Sequence, residues 1–341
     1  MLVSVNISAY NEQDYLSEIF DSLTKQTYPL KNIEVVLVNA MSTDNTRTLM
    51  DQFKNENEHL FYGVKILDNP RKTLNTGLNL GFKNSEGECF LKVDAHSQIP
   101  INFIEANVKV IESGQKVCGG KRPTIVEAED NFSKTLHIVE ESALGSSIAN
   151  YRKGDTSRYV DSVFQGMYHR DVVDTVGYFD EKLTRTEDNE YHYRIRKNGF
   201  KIWYDTSIES FQYIRPTLTK MIQQKFANGY WIGLTSHVCR ECLSIFHFAP
   251  GIFVSLLLVL MMLTGVSFIP LITIFSLYLI AVFGLSAFEI SRQRFNSTLL
   301  LIPFIMISIH FAYGIGTIKG WIFGFDFKKK YFLNDDKLKN L

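Results

Sequence analysis

Three short segments carry residues that can do chemistry. Asp94-Ala95-His96 follows the apolar run FLKV. A carboxylate and an imidazole two residues apart on a tight turn can point the same way and hold a hard divalent ion that bridges a diphosphate. Mn2+ accepts such a mixed oxygen and nitrogen set more readily than Mg2+. The plainer alternative is that Asp94 caps the next turn and His96 is a solvated loop residue. Glu187, Asp188 and Glu190 form an acidic run. Carboxylates this close raise at least one pKa toward a range useful for a general base. The alternative is a helix start enriched in acids that favour the positive end of the helix dipole. The third segment, HVCRECLSIFH, offers His237, Cys239, Cys242 and His247. A single Cys-x-x-Cys with no second pair is a weak zinc signal.

The first two segments need a scaffold, and the sequence supplies one. Apolar runs at Leu2–Ser8, Ile33–Val38, Val64–Leu67 and Cys89–Val93 read as buried strands. Helices are expected from AYNEQDYL to about Thr27, from Thr43 or Asp44 through about Phe53, and over Thr73–Asn84. Strands that alternate with helices indicate a βαβ sheet. Ligands of such sheets bind beyond the carboxyl ends of the strands. Ser8 to Asn11, Asn39 to Asp44, and Asp94 to His96 all fall at such ends, so they should converge on one crevice. Further helices are expected over 101–113, 133–147, 170–176 and 187–198, with strands at 117–120 and 202–204; Val163 to Tyr168 precedes the helix at 170–176. Tyr151 to Asp161 reads as a polar loop.

The C-terminal part has a different solvent. From Leu243 to Phe325 the charged residues are Glu289, Arg292, Arg294 and Lys319 alone. A bilayer demands such sequence, and spans are expected near 246–266, 268–288 and 299–318. Gly314, Gly316, Gly320 and Gly324 allow a bent or half-inserted third element. Residues 218–229 are amphipathic and basic, as in a helix on the membrane surface. Trp231 fits a headgroup-level anchor. Domains are thus expected at 1–235 (with the interfacial helix at about 218–235), 236–325 in the membrane, and 326–341 as a polar tail.

Composition limits the partners. Lys plus Arg and Asp plus Glu both count 36, so no basic stripe argues for nucleic acid. The four cysteines, Cys89, Cys118, Cys239 and Cys242, are too scattered for a disulfide framework. The chain opens on MLVSVNISAY without a leader pattern, so the N-terminal domain is expected in the cytoplasm, at the cell membrane.

The order of motifs resembles the family 2 inverting glycosyltransferases. VSVNISAYNEQDYL, VVLVNAMSTDNT, DAH and TRTEDNEYHYRIRKNG stand where that family has its nucleotide loop, its second acidic segment, its metal motif and its base motif. NPRKT, VDAH, VGYFDEKL, KIWYD, IRPTL and QKFANGYW are similar to the membrane-bound succinoglycan-type β-1,3-glucosyltransferases. The resemblance covers roughly residues 1–235. It implies a GT-A domain, the Rossmann-like mixed α/β sheet of nucleotide-diphospho-sugar transferases, followed by transmembrane helices.

It also implies roles. Ala9, Tyr10 and Glu12 would shape the nucleotide loop, with Tyr10 near the uracil. Asn39 and Arg71 would face the nucleotide, and Asp94 the ribose and metal. His96 would hold the metal or diphosphate, with Mn2+ or Mg2+ as cofactor. Asp188 would be the base, and Glu187, Arg194, Arg215 and Trp231 would lie near the diphosphate or acceptor. The implied activity is transfer of a hexose, of glucose type, from a UDP-sugar to a lipid-linked saccharide in capsule or exopolysaccharide synthesis. Membrane lipids are implied partners, and a homo-oligomer is open. The family's acidic pair is Asn39-Ala40 here, and Pro216 follows Gln212-Tyr213-Ile214-Arg215, which implies a single addition rather than chain synthesis. Two alternatives stand: transfer to a bare polyprenyl phosphate held by Arg215, Lys220 and Lys225, and a non-catalytic membrane scaffold that keeps the nucleotide fold.

Overall fold

A computed structural model describes residues 1–128, 130–145 and 154–339, with side chains up to 332. The expected loop at 151–161 and the helix end at 146–147 fall partly outside the described residues. The strands are β1 (Val3–Ala9), β2 (Ile33–Asn39), β3 (Gly63–Asp68), β4 (Cys89–Lys92), β5 (Ser97–Gln98), β6 (Val117–Lys121), β7 (Thr124–Ile125), β8 (Arg158–Val160), β9 (Phe164–His169), β10 (Ile202–Glu209) and β11 (Phe211–Tyr213). The helices are α1 (Gln13–Thr24), α2 (Thr46–Asn57), α3 (Leu74–Lys83), α4 (Phe103–Glu112), α5 (Asn131–Glu141), α6 (Arg170–Val176), α7 (Glu187–Lys197), α8 (Leu218–Thr235), α9 (Ala249–Met262), α10 (Ile269–Ser291) and α11 (Ile302–Lys339).

The chain forms two compact units, Met1–Pro123 with Asn150–Tyr213, and Thr124–Ala149 with Ile214–Leu341. The second unit takes in 124–149 and α8, not only the helices after 235 as the sequence suggests.

The first unit is built on a mixed sheet in the order β3-β2-β1-β4-β9-β6-β10-β8. β1 runs parallel to β2 and β4, and β9 is antiparallel to β4 and β6. The alternation of side chains along a strand sorts the two faces. Cys89, Leu91 and Val93 join the core under α1, α2 and α4, with Leu16, Phe20, Met50 and Phe53. Phe90 joins the opposite core, with Leu78 and Phe82 of α3, Val172 of α6, and Tyr191 and Ile195 of α7. Lys92 shares a face with Phe90 by the same period. β8 and the short β5–β11 pair escape the sequence pattern because they carry no apolar run.

In the second unit three helical segments are long and apolar enough to cross a membrane: Ile245–Gly265, Ile269–Ser291 and Ser297–Phe332. The third holds the longest helix. α11 is one uninterrupted helix of 38 residues, and its glycines serve close packing instead. A Cβ on Gly316 would overlap the Phe226 carbonyl, and one on Gly320 the Tyr230 carbonyl. Gly229 and Gly233 of α8 face Tyr313, Thr317 and Gly320 in return. Small residues let helix backbones approach where lipid offers no hydrophobic drive to associate. Lys225 of α8 pairs with Glu140 of α5 at 2.8 Å, both buried.

Gly320→Leu is therefore expected to force α8 from α11. Overpacking of this kind costs about 1–3 kcal/mol or more. Thermal unfolding in detergent should show a midpoint several degrees lower, and an unchanged midpoint would refute the backbone contact.

Candidate active site

The site is assembled at the carboxyl ends of β1, β2, β3 and β4. After β1, Asn11 takes a left-handed φ of 55°, and its side-chain oxygen accepts the Thr43 amide at 2.8 Å. The Glu12 amide donates to Thr46 Oγ1 at 2.8 Å, and the Gln13 amide to Asp44 at 3.3 Å. The loops after β1 and β2 are thus tied together, and Ala9 Cα pairs with Asn39 in the ladder. Tyr10 stands out of this frame, 48% exposed, with its ring available for stacking.

Asn39 is placed at the crevice, but its amide is in use. Its Nδ2 donates to Asp68 Oδ1 at 3.0 Å, and its oxygen accepts the Ser42 amide at 3.0 Å. Asp68 ends β3 and is gripped by Arg47 at 2.6 and 2.7 Å. Arg47 first, and then Asn39, hold its carboxyl below the usual carboxylate range. A carboxylate thus sits beside Asn39 on the neighbouring strand. Sequence reasoning missed it, although KILD ends a strand on an acid as FLKVD does. Arg71 is exposed and paired with Glu181.

Asp94 follows β4. Its carbonyl accepts from Ser97 Oγ at 2.6 Å, and its carboxylate makes no hydrogen bond among the described residues. The His96 ring is held more tightly. Its Nδ1 lies 3.1 Å from Glu12 Oε1, its Nε2 3.4 Å from the Gln212 amide nitrogen, and Tyr15 meets it edge-on. Glu12 therefore orients His96 besides shaping the loop.

The centre of the cluster is Lys92. It is 2% exposed, and its ammonium donates to both oxygens of Asp188, at 2.9 and 3.0 Å. Glu187 Oε1 lies 3.8 Å away. Burial alone would lower the lysine's pKa, but Asp188, Asp94 and Glu187 outweigh it and hold the ammonium above its usual range. Burial, then the charge of Asp188, push Glu187 up to about 7 against the pull of Lys92. So Asp94, Glu187 and Asp188 share one electrostatic neighbourhood around a buried cation. The signal for Lys92 was present: a lysine inside the buried run CFLKV has no solvent to meet.

α7 carries Asp188 on its first turn, over a polar support. His192, one turn on, is fully buried between Ser162 Oγ at 2.8 Å and Tyr168 Oη at 2.9 Å. Burial drives its pKa down to about 4; the charge of Asp188 pulls the other way, and Lys92 and Arg196 oppose Asp188.

Arg194, expected near the diphosphate or acceptor, is engaged within the protein. Its guanidinium donates to Glu190 at 2.5 Å and to the carbonyls of Val176 and Tyr178 at 2.8 and 2.7 Å. It closes the end of α6, and its guanidinium donors are taken up there, about a third of a turn around α7 from Asp188. Arg215 and Trp231 belong to the second unit, where Trp231 meets Tyr230 and Phe327 edge-on.

Backbone strain is concentrated here. Among the described residues the non-glycine positions with left-handed φ are Asn11, Met41, Lys72 and Gln165. The first three lie in the loops after β1, β2 and β3. Such residues cost on the order of 1–3 kcal/mol each and gather at functional sites.

A divalent ion fits this donor set in part. Among the described residues no three acidic, His or Cys side chains converge on one point. Asp94 with its unengaged carboxylate, and His96, provide at most two protein donors. Mg2+ and Mn2+ sites in phosphate-handling enzymes often need no more, since substrate oxygens and water complete the shell.

The fold and this cluster define a sugar-transferring α/β enzyme class, and the sequence profile described as "Glycosyl transferase family 2" matches residues 4–177. The chain belongs to that family. It is 25% identical over 236 residues to a dolichyl N-acetyl-α-D-glucosaminyl phosphate 3-β-D-2,3-diacetamido-2,3-dideoxy-β-D-glucuronosyltransferase of Methanococcus voltae, covering 68% of this chain and 73% of that one. It is 24% identical over 229 residues to the succinoglycan biosynthesis protein ExoA of Rhizobium meliloti, covering 65% and 66%. The solved mannosyltransferase PcManGT of Pyrobaculum calidifontis, in complex with GDP-Man and Mn2+, superposes with a TM-score of 0.62 at 14% identity, over 93% of this chain and 86% of that one. The fold is accordingly GT-A.

Two measurements test the cluster. Lys92→Met strands Asp188 and Glu187 without their cation. Breaking a buried pair costs about 3–5 kcal/mol, so a large fall in thermal midpoint is expected, and a neutral result would refute the pairing. His192 has a folded pKa of about 4 against an ordinary 6.5. Its contribution is complete above pH 6.5 and is lost as pH falls toward 4, because the unfolded chain takes up the proton first. His192→Gln should flatten this part of the stability profile, and an unaltered slope would exclude His192 as its source.

Proposed function

We propose that this chain is a membrane-anchored inverting glycosyltransferase. It moves a hexose from a UDP-sugar to a lipid-linked saccharide in the synthesis of a capsule, an exopolysaccharide or a related envelope glycan. The observation that carries this reading is the Asp188 carboxylate fixed by Lys92 beside Asp94 at the carboxyl end of β4. Inverting transfer needs one carboxylate on the face opposite the leaving diphosphate. Asp188 takes the proton of the acceptor hydroxyl as its oxygen bonds to the anomeric carbon. The bond from that carbon to the diphosphate breaks, and its electron pair leaves with the nucleotide. Lys92 grips both carboxylate oxygens and prevents the side chain from turning away, while leaving further lone pairs for the acceptor.

Asp94 and His96 would hold Mn2+ or Mg2+, which when bound neutralises the charge that develops on the diphosphate. Tyr10 would stack on the base, while Asn39 and Arg71 would line the nucleotide crevice. The relatives support the substrate classes. The Methanococcus voltae enzyme is named for a dolichyl-linked sugar phosphate, and the Rhizobium meliloti protein for succinoglycan biosynthesis. PcManGT was solved with a nucleotide sugar and Mn2+. The three apolar helical segments would keep the enzyme at the cell membrane, with the catalytic domain in the cytoplasm.

The bare polyprenyl phosphate alternative keeps Arg215 and Lys220 as its cations but not Lys225, which is buried against Glu140. The scaffold alternative rested on Asn39-Ala40, and Asp68 restores a carboxylate beside it.

Asp188→Asn should lower sugar transfer by ~10²–10⁴-fold while UDP with Mn2+ still raises the thermal midpoint. Equal transfer by wild type and variant would remove Asp188 from the base role. Labelled-sugar transfer to undecaprenyl diphosphate saccharide, and not to undecaprenyl phosphate, is expected.

A further inference from the structure

Gln165 is the second residue of β9. Its side chain is 1% exposed, yet neither the amide nitrogen nor the amide oxygen has a hydrogen-bond partner in the protein. A buried amide left without a partner is costly, and native proteins keep few of them. Its backbone φ is 47°, a conformation that β-strand residues with side chains avoid. The ladder between β6 and β9 slips here: Cys118 pairs with Met167, but Gly120 pairs with Phe164. Two steps along β6 thus match three along β9, which is a bulge. Bulges re-aim side chains and gather beside active sites.

The place in the sheet gives the direction. Leu91 pairs with Met167 in the antiparallel β4–β9 ladder. Residues after Leu91 and residues before Met167 leave that ladder at the same end. Lys92 and Asp94 follow Leu91, and Gln165 precedes Met167. The strained, unpaired amide is therefore at the end of the sheet that carries Asp188's partner and Asp94.

We infer that Gln165 is a specificity-determining residue, and that its carboxamide reads the transferred sugar. A neutral group with one unmet donor and one unmet acceptor matches a pyranose substituent that offers both. Vicinal hydroxyls and an acetamido group are the two forms of that chemistry. The sugar, rather than the nucleotide, is the partner, because the diphosphate falls to the ion that Asp94 and His96 would hold, and the sugar is the next group along the donor. This inference rests on the glycosyl-transfer reading above.

The test uses the full chain in detergent, with Gln165→Met and Gln165→Gly. The first keeps the volume and removes both polar atoms. The second also relieves the left-handed backbone. Both variants should unfold at or above the wild-type temperature, since they remove a cost to the folded state. UDP, UDP-glucose, UDP-N-acetylglucosamine and GDP-mannose, each with Mn2+, are the probes. In the wild type one nucleotide sugar should shift the midpoint more than its nucleotide alone does. In both variants that increment should vanish, with affinity for the sugar donor down at least ~10-fold and the nucleotide's own shift kept. Which of the two UDP-sugars loses its advantage identifies diol or acetamido recognition.

A fall of several degrees in both variants would show that the amide serves the fold, and would overturn the inference. So would an intact sugar increment, with the transfer reading left standing. A wild type that responds to no nucleotide sugar would sink both.

Discussion

A buried ammonium cannot stand alone, and the site is organised around that constraint. Lys92 ends the central strand β4 on the face that packs against α7. Its charge can be tolerated there only if carboxylates come to it. The first turn of α7 supplies two, Asp188 in direct contact and Glu187 close by. The pair therefore docks the start of α7 on the end of β4, and in doing so fixes the height and rotation of the Asp188 carboxylate. The underlying polar support has the same origin. His192 is kept neutral by burial, and its two ring nitrogens are satisfied by Ser162 and Tyr168. A neutral imidazole adds no charge to compete with Lys92.

The same constraint separates the two acids. Asp188 keeps a quarter of its side-chain surface and the full contact with Lys92, whereas Glu187 is nearly enclosed and stands farther off. Desolvation dominates for Glu187, which is why its carboxyl is pushed up to about 7. Neighbouring positions on one helix thus take opposite parts. One is a half-buried carboxylate in direct contact with the ammonium, and the other is an enclosed neighbour that desolvation pushes toward its neutral form.

Much of this was legible in the sequence where a period or a run encoded it. The apolar strands, the helices between them and the three long apolar segments follow from spacing and length, because burial repeats at two or 3.6 residues. The convergence of the loops after β1, β2 and β4 follows from parallel topology. What escaped depends on contacts distant in sequence. The Lys92–Asp188 pair joins residues 96 apart. Asp68 meets Asn39 across two strands whose register no local pattern prints. Arg194 lies on the same helix as Asp188, but the helical rotation between them sends it to the end of α6. The glycines of α11 could be read as flexibility or as close packing, and only the partner helix α8 decides between these.

The distribution of strain closes the physical picture. A sheet whose strands are nearly all buried over-determines its own geometry, so it can hold unfavourable conformations at its rim. Asn11, Met41 and Lys72 take left-handed φ in three successive loops at the carboxyl end of β1, β2 and β3. Gln165 does so within a strand at the end shared with Asp94. Elsewhere among the described residues left-handed φ is confined to Gly114, Gly177 and Gly199, where it carries little cost. Random imperfection would scatter such residues over the surface. Their restriction to one rim means that the core's surplus stability is drawn on at the carboxyl ends of the strands. Shape there is set by the packed sheet beneath, and the local backbone preferences of these residues give way.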